Sequence, residues 1–107
     1  MADDTDEAIE ILKSFLKQVQ ISGIRIERAV LFGSYAKNKA KQWSDIDVAI
    51  VSPDFSGNRF CDARRLIPFV VKTDSRIEMH LFRPEDFSEE EDDFVSEIVH
   101  SGVDLSL

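Results

Sequence analysis

Cysteine is nearly absent from this sequence: Cys61 is the single thiol. That excludes an internal disulfide framework and fits a reducing compartment, so a cytoplasmic location is expected. Standing alone, Cys61 reads as a small packing residue. Proline and glycine are also sparse, three and four residues respectively, and no linker, internal repeat or low-complexity segment can be made out. No apolar run approaches the roughly 18 residues of a membrane span. The opening MADDTDEAIE is acidic where a secretory signal would be basic and then apolar. Basic residues are the minority, 13 against 21 acidic ones, for a formal net charge of -8. Phosphate contacts dominate nucleic-acid affinity, so general nucleic-acid binding is not expected.

What is present is a soluble globular composition, 43% hydrophobic and 32% charged in 107 residues, enough for one core and one domain, residues 1–107. Residues 5 to 20 carry Ile9, Leu12, Phe15, Leu16 and Val19 on one helical face, with Asp4 or Thr5 as a cap and Gly23 as a stop. ERAVLF, residues 27 to 32, reads as a buried strand broken by Gly33-Ser34, and Ser34 suits the N-cap of a short helix running to about Ala40. DIDVAIV, residues 45 to 51, is a second strand ended by the loop SPDFSGN. RFCDARRLIPFVV resembles a helix that Pro68 is expected to kink or split. RIEMHLF, residues 76 to 82, alternates: Ile77, Met79 and Leu81 share one face, Glu78 and His80 the other. EEEDDFVSEIVHSG closes the chain as a helix with an acidic first turn and Gly102 near its C-cap. The order α-β-α-β-α-β-α predicts an α/β (α+β) domain, a small mixed sheet of three to four strands packed with helices.

Two carboxylates at the mouth of a buried strand need compensation, because desolvating them without a partner is costly. Asp45 and Asp47 lie one residue apart, so a strand sends both to one face, where they repel unless a cation joins them. Hard oxygen ligands favour Mg²⁺ or Mn²⁺, held together with substrate phosphates. Glu78, on the polar face of the third strand, is the candidate third carboxylate, and three carboxylates make room for two ions about 3.5–4 Å apart. Gly33 permits a tight turn and close backbone approach. The helix expected there offers N–H groups to phosphate, Ser34 a hydroxyl donor and Lys37 a countercharge. Lys37, Lys39 and Lys41 form a cationic island suited to a small anion. Anion cradle and carboxylates thus stand on consecutive elements, as a metal–triphosphate complex requires.

Gly33-Ser34, ten further residues, then Asp45-Ile46-Asp47 ahead of a Val/Ile/Ala strand resembles the signature of the DNA polymerase beta-like nucleotidyltransferase superfamily. Within it the chain is similar to the minimal nucleotidyltransferase (MNT) family, through LFGSYAKNKAKQWSDIDVAIV, RIEMHLFRPEDF and SEIVHSGVDL, over about residues 24 to 105. The resemblance implies a polymerase beta palm-like fold. It implies Asp45, Asp47 and Glu78 as catalytic and metal-binding residues, two Mg²⁺ ions (or Mn²⁺), and ATP as substrate. Gly33, Ser34 and Lys37 would hold the nucleotide. A hydroxyl would attack the α-phosphate with loss of pyrophosphate, Glu78 assisting its deprotonation. The chain departs from the family's common Ala-Arg-Gly at Lys37 and Asn38, and carries glutamate where aspartate is frequent at 78.

Members of that family are paired with HEPN-domain helical proteins, so a homo- or hetero-oligomer is expected. The MNT member acts there as antitoxin, in some pairs by moving AMP from ATP to a tyrosine of the toxin. Other functions remain open at this point: nucleotidyl transfer to a small molecule with the helical partner forming the pocket, a silent antitoxin acting by occlusion, or a plain phosphate-binding module. Among flanking residues, His80 shares the Glu78 face and has two readings, lining the cleft or, the favoured one, a satisfied structural histidine; His100 reads as a dipole partner at a helix C-terminus. Trp43, Tyr35, Phe32, Phe69 and Phe82 read as packing residues.

Overall fold

A computed structural model describes residues 4–41 and 43–107. It has three α-helices, α1 (Asp4–Ile21), α2 (Arg59–Thr73) and α3 (Asp93–Ser101), and one four-stranded sheet. The strands are β1 (Arg28–Phe32), β2 (Ile46–Val51), β3 (Ile77–Phe82) and β4 (Val103–Asp104), in spatial order β3-β2-β1-β4. β1 runs antiparallel to both β2 and β4, whereas β2 and β3 are parallel and joined through α2. The mixed α/β sheet with helices agrees with the fold expected from the periodicities. Among the described residues no helix is long and apolar enough to cross a membrane.

The two faces of the sheet carry separate cores because side chains alternate along each strand. Ala29, Leu31, Val48, Ile50 and Ile77 pack with Leu12, Phe15, Leu16 and Val19 of α1 and Leu66 of α2. Each fully buried side chain of this kind is worth about 1.5–3 kcal/mol. On the opposite face Val30 and Ala49 meet Ile98 of α3, with Phe32, Phe82 and Phe87 packed around them. Gly102 allows that docking: a Cβ there would overlap the Ile98 carbonyl oxygen and a methyl of Val30. Asp62, 3% exposed, secures the loop before α2 by accepting from Ser56 N at 2.9 Å, Ser56 Oγ at 3.0 Å and Gly57 N at 3.2 Å.

Five expectations are corrected. The helix expected from Ser34 to Ala40 is a single turn, with Lys37 N bonding Gly33 O at 3.2 Å and Lys39 N bonding Ser34 O at 2.8 Å. It is closed by Asn38 at φ 56°; a left-handed residue there ends a helix and suits glycine or asparagine. α2 runs unbroken through Pro68. Pro68 and Arg64, whose carbonyl it leaves without a helical donor, are both exposed residues on the solvent side of α2. Asp4 and Thr5 lie inside α1, and the Thr5 hydroxyl donates to Tyr35 O at 2.5 Å instead of capping. The closing helix starts at Asp93, with Asp92 as its cap, so Glu89 to Glu91 form a turn ahead of it. The expected order ended on that helix, but β4 follows it and brings the sheet to four strands, within the three to four expected.

Candidate functional site

The β1-to-β2 connection and the parallel β2–β3 ladder assemble the polar cluster. Antiparallel pairing sets Phe32 opposite Asp47, which places the following residue, Gly33, against the aspartate side chain. Gly33 has φ +77°, and a Cβ on it would overlap Asp47 Oδ2 and stand 3.3 Å from Asp47 Cγ. The glycine thus serves two needs, a left-handed turn and contact with a carboxylate. In the parallel ladder Asp47 faces Glu78 directly. Asp45 precedes β2 and is exposed, and its carboxyl acts on that of Glu78.

The turn that follows Gly33 is fastened from behind. Tyr35 is buried, its carbonyl takes the Thr5 hydroxyl, and its own hydroxyl accepts from Arg76 Nη1 at 2.9 Å. Arg76 is itself locked by a two-pronged pair with Asp74, at 3.0 and 2.8 Å. Packing was the expected role of Tyr35 and is its role here. Ser34 is half-buried at the start of the turn. Lys37 is exposed, its Nζ 4.0 Å from Glu97 Oε1 of α3.

His80 departs from its favoured sequence reading. It sits two residues beyond Glu78 on the same face, with Nε2 buried and no hydrogen-bond partner. That nitrogen lies 3.5 Å from Asp47 Oδ1 and 4.0 Å from Glu78 Oε1. Among the described residues Asp47, Glu78 and His80 bring one donor atom each to within 4.8 Å of one another. Two carboxylates and an unsatisfied imidazole nitrogen fit a divalent cation. The strand pattern places His80 on the Glu78 face, facing the cleft in one of its readings, but the state of its nitrogen follows only from the pairing with β2. Trp43 and Cys61 are also corrected: Trp43 is 82% exposed and Cys61 is exposed, so neither is a packing residue. His100 ends α3 as expected and faces Glu89 at 3.4 Å.

The cluster opens onto a cavity of about 420 Å³ along the β3 edge, lined by Arg59, Phe60 and Ala63 of α2 and by Asp92 and Phe94. Phe60, Ile67 and Val71 leave an apolar stripe uncovered on α2. Its spacing of seven and four residues keeps the three on one helical face.

Electrostatics inside the cluster is repulsive. Burial pushes the Asp47 carboxyl above its ordinary range, against the pull of His80. The Asp45 carboxyl, burial and the charge of Asp47 together raise that of Glu78. A carboxyl raised in the folded state penalises folding once pH passes the ordinary carboxylate range near 4, and fully so above the raised values. Asp47→Asn, which bears no charge, is therefore expected to melt above the parent at pH 7 in chelator, the gap closing below about pH 4. Calorimetry at the two pH values checks this; a gap that widens on acidification refutes it.

The chain as a whole is similar to known proteins. An inferred protein adenylyltransferase of Methanocaldococcus jannaschii is 44% identical over 46 residues, covering 42% of this chain and 46% of that protein. This chain therefore matches about half of that protein's length. Among solved structures, an inferred nucleotidyltransferase from Sulfolobus solfataricus has a TM-score of 0.66 at 20% identity, covering 97% of this chain and 87% of the other. A toxin–antitoxin structure with AMP-PNP gives a TM-score of 0.65 at 21% identity, and a mutant MntA-HpeT toxin–antitoxin structure 0.62 at 18%. Each of these two covers 88% of this chain and 71% of the other. At such identities the structures speak for the fold, and they bear out the nucleotidyltransferase fold expected from Gly33, Ser34, Asp45 and Asp47. The family model described as nucleotidyltransferase domain matches residues 7–105, and the chain belongs to that family.

Proposed function

We propose that this nucleotidyltransferase-family chain moves AMP from ATP to a hydroxyl on a partner protein, as the antitoxin of a toxin–antitoxin pair. The partner is a helical HEPN-domain toxin, and the acceptor is a tyrosine on it. The observation that supports the reading most is Gly33 seated on Asp47 while Asp47 faces Glu78 across the ladder. That arrangement sets a left-handed glycine turn beside paired carboxylates. The toxin–antitoxin structures of similar fold and the uncovered stripe on α2 favour a protein partner.

In this mechanism Gly33, Ser34 and Lys37 hold the triphosphate, and Asp45, Asp47 and Glu78 hold two divalent ions, Mg²⁺ or Mn²⁺. The ions supply charge neutralisation at the α-phosphate and the leaving group. The acceptor oxygen forms a bond to the α-phosphorus while the bond from that phosphorus to the bridging oxygen breaks, releasing pyrophosphate. Glu78 assists removal of the acceptor's proton.

The test is incubation with α-labelled ATP, Mg²⁺ and the helical product of a neighbouring gene, reading intact mass on both chains. AMP gained by the partner, and by neither chain when Asp45 and Asp47 are replaced, is the expected result. A stable complex without transfer would overturn the protein acceptor and favour a small-molecule acceptor or occlusion.

A further inference from the structure

We propose that His80 is a ligand of the divalent ion, giving the centre a nitrogen donor beside its carboxylates and a preference for Mn²⁺ over Mg²⁺. The inference rests on the metal-dependent reading above and adds a residue and a selectivity to it.

The geometry of His80 suits a metal ligand. A structural histidine places each buried ring nitrogen on a partner at about 2.7–3.2 Å. His80 Nε2 has no such bond, and the nearest carboxylate oxygens stand at 3.5 and 4.0 Å. Ligands held about 2.1 Å from one ion stand about 3 Å apart when adjacent and about 4.2 Å apart when opposed. Both separations fall within that span.

The ring is also fixed in place. Phe32 and Phe94 contact it edge-on, with centroids 5.0 and 5.7 Å away. Its ladder partner on β2 is Ala49, whose methyl side chain offers no hydrogen-bonding group. On that strand the group facing the nitrogen is the Asp47 carboxylate at 3.5 Å, itself a ligand in this reading, and the aromatic contacts disfavour swinging the ring to water. Mn²⁺ favours carboxylate and water but, as the first ion of the transition-metal affinity series, accepts a nitrogen donor better than Mg²⁺, an oxygen-seeking ion that keeps several waters. A donor set containing nitrogen thus tilts selection away from Mg²⁺.

The experiment is pulsed EPR on the full chain labelled with ¹⁵N-histidine, loaded with Mn²⁺ in the presence of a non-hydrolysable ATP analogue. The label separates histidine nitrogen from the adenine ring. A ¹⁵N coupling to Mn²⁺ is expected in the parent and in His100→Gln, and its loss in His80→Gln. Mn²⁺ affinity should fall roughly tenfold or more in His80→Gln, with Mg²⁺ affinity changed much less. Mn²⁺ bound by the parent without histidine coupling, or coupling that survives in His80→Gln, overturns the ligand assignment and leaves the carboxylate centre standing. Failure of the parent to bind Mn²⁺ overturns the metal-dependent reading and the proposal together.

Discussion

The Asp45→Asn/Asp47→Asn double variant is expected to fold, to retain its contacts with a partner, and to lose nucleotidyl transfer by at least about a thousandfold. Asparagine keeps the size of each side chain, and the Asp47 carboxyl lies where ionisation is already disfavoured by burial. The change therefore removes charge without removing packing. A metal centre contributes several kcal/mol of transition-state stabilisation, and about 1.4 kcal/mol is tenfold in rate. Transfer measured by intact mass and complex formation measured by light scattering check the two halves separately. A variant that still neutralises a toxin as well as the parent would show that occlusion, with no chemistry, accounts for the antitoxin role.

Gly33→Ala is expected to lower stability by about 2–3 kcal/mol and transfer by roughly a hundredfold. Two costs combine. The residue sits at φ +77°, where a left-handed L-residue costs roughly 1–2 kcal/mol. The added Cβ would also overlap Asp47 Oδ2 and lie 3.3 Å from its Cγ, so either the turn or the carboxylate moves. A displacement of about 1 Å at a reacting centre costs on the order of 10²-fold in rate. Thermal unfolding gives the first figure and a transfer assay well below the melting temperature gives the second. Full activity in a destabilised Gly33→Ala would mean that the glycine serves the fold alone. An alanine variant as stable as the parent would mean that the turn tolerates a left-handed side chain.

Asn38 offers the contrasting case. It too has a positive φ, 56°, but it closes the turn as an exposed residue. The position asks for left-handed backbone, which asparagine adopts more readily than most residues. Its departure from the family's common glycine is thereby accounted for on backbone grounds. Lys37, the other departure, pairs loosely with Glu97 across 4.0 Å of solvent-exposed surface, an interaction weak enough to give way to a phosphate.

Local pattern was enough to place α1, β1, β2, β3 and α3 close to where they lie, because burial on one face imposes a period of 3.6 or 2 on the sequence. The same pattern put Asp45 and Asp47 at the mouth of a strand and Glu78 on the polar face of another. β4 escaped it: two residues, Val103 and Asp104, are too few to show alternation, and they are strand only because β1 offers an open edge. α2 is continuous although Pro68 argued against it, since the cost of a proline depends on whether the freed carbonyl meets water, which is a matter of tertiary exposure. The uncovered stripe of Phe60, Ile67 and Val71 lies on the same helix as the buried Leu66, and the apolar pattern does not say which side faces the sheet.

What the sequence by itself determined was the spacing from Gly33-Ser34 to Asp45 and Asp47, and with it the family. That spacing is a local property of one connection between paired strands. Only the tertiary structure decided that Gly33 rests on Asp47, that Asp47 faces Glu78, and that His80 turns a partnerless nitrogen toward both. Those relations are fixed by strand register across the sheet, where residues some 14 to 33 positions apart are brought side by side.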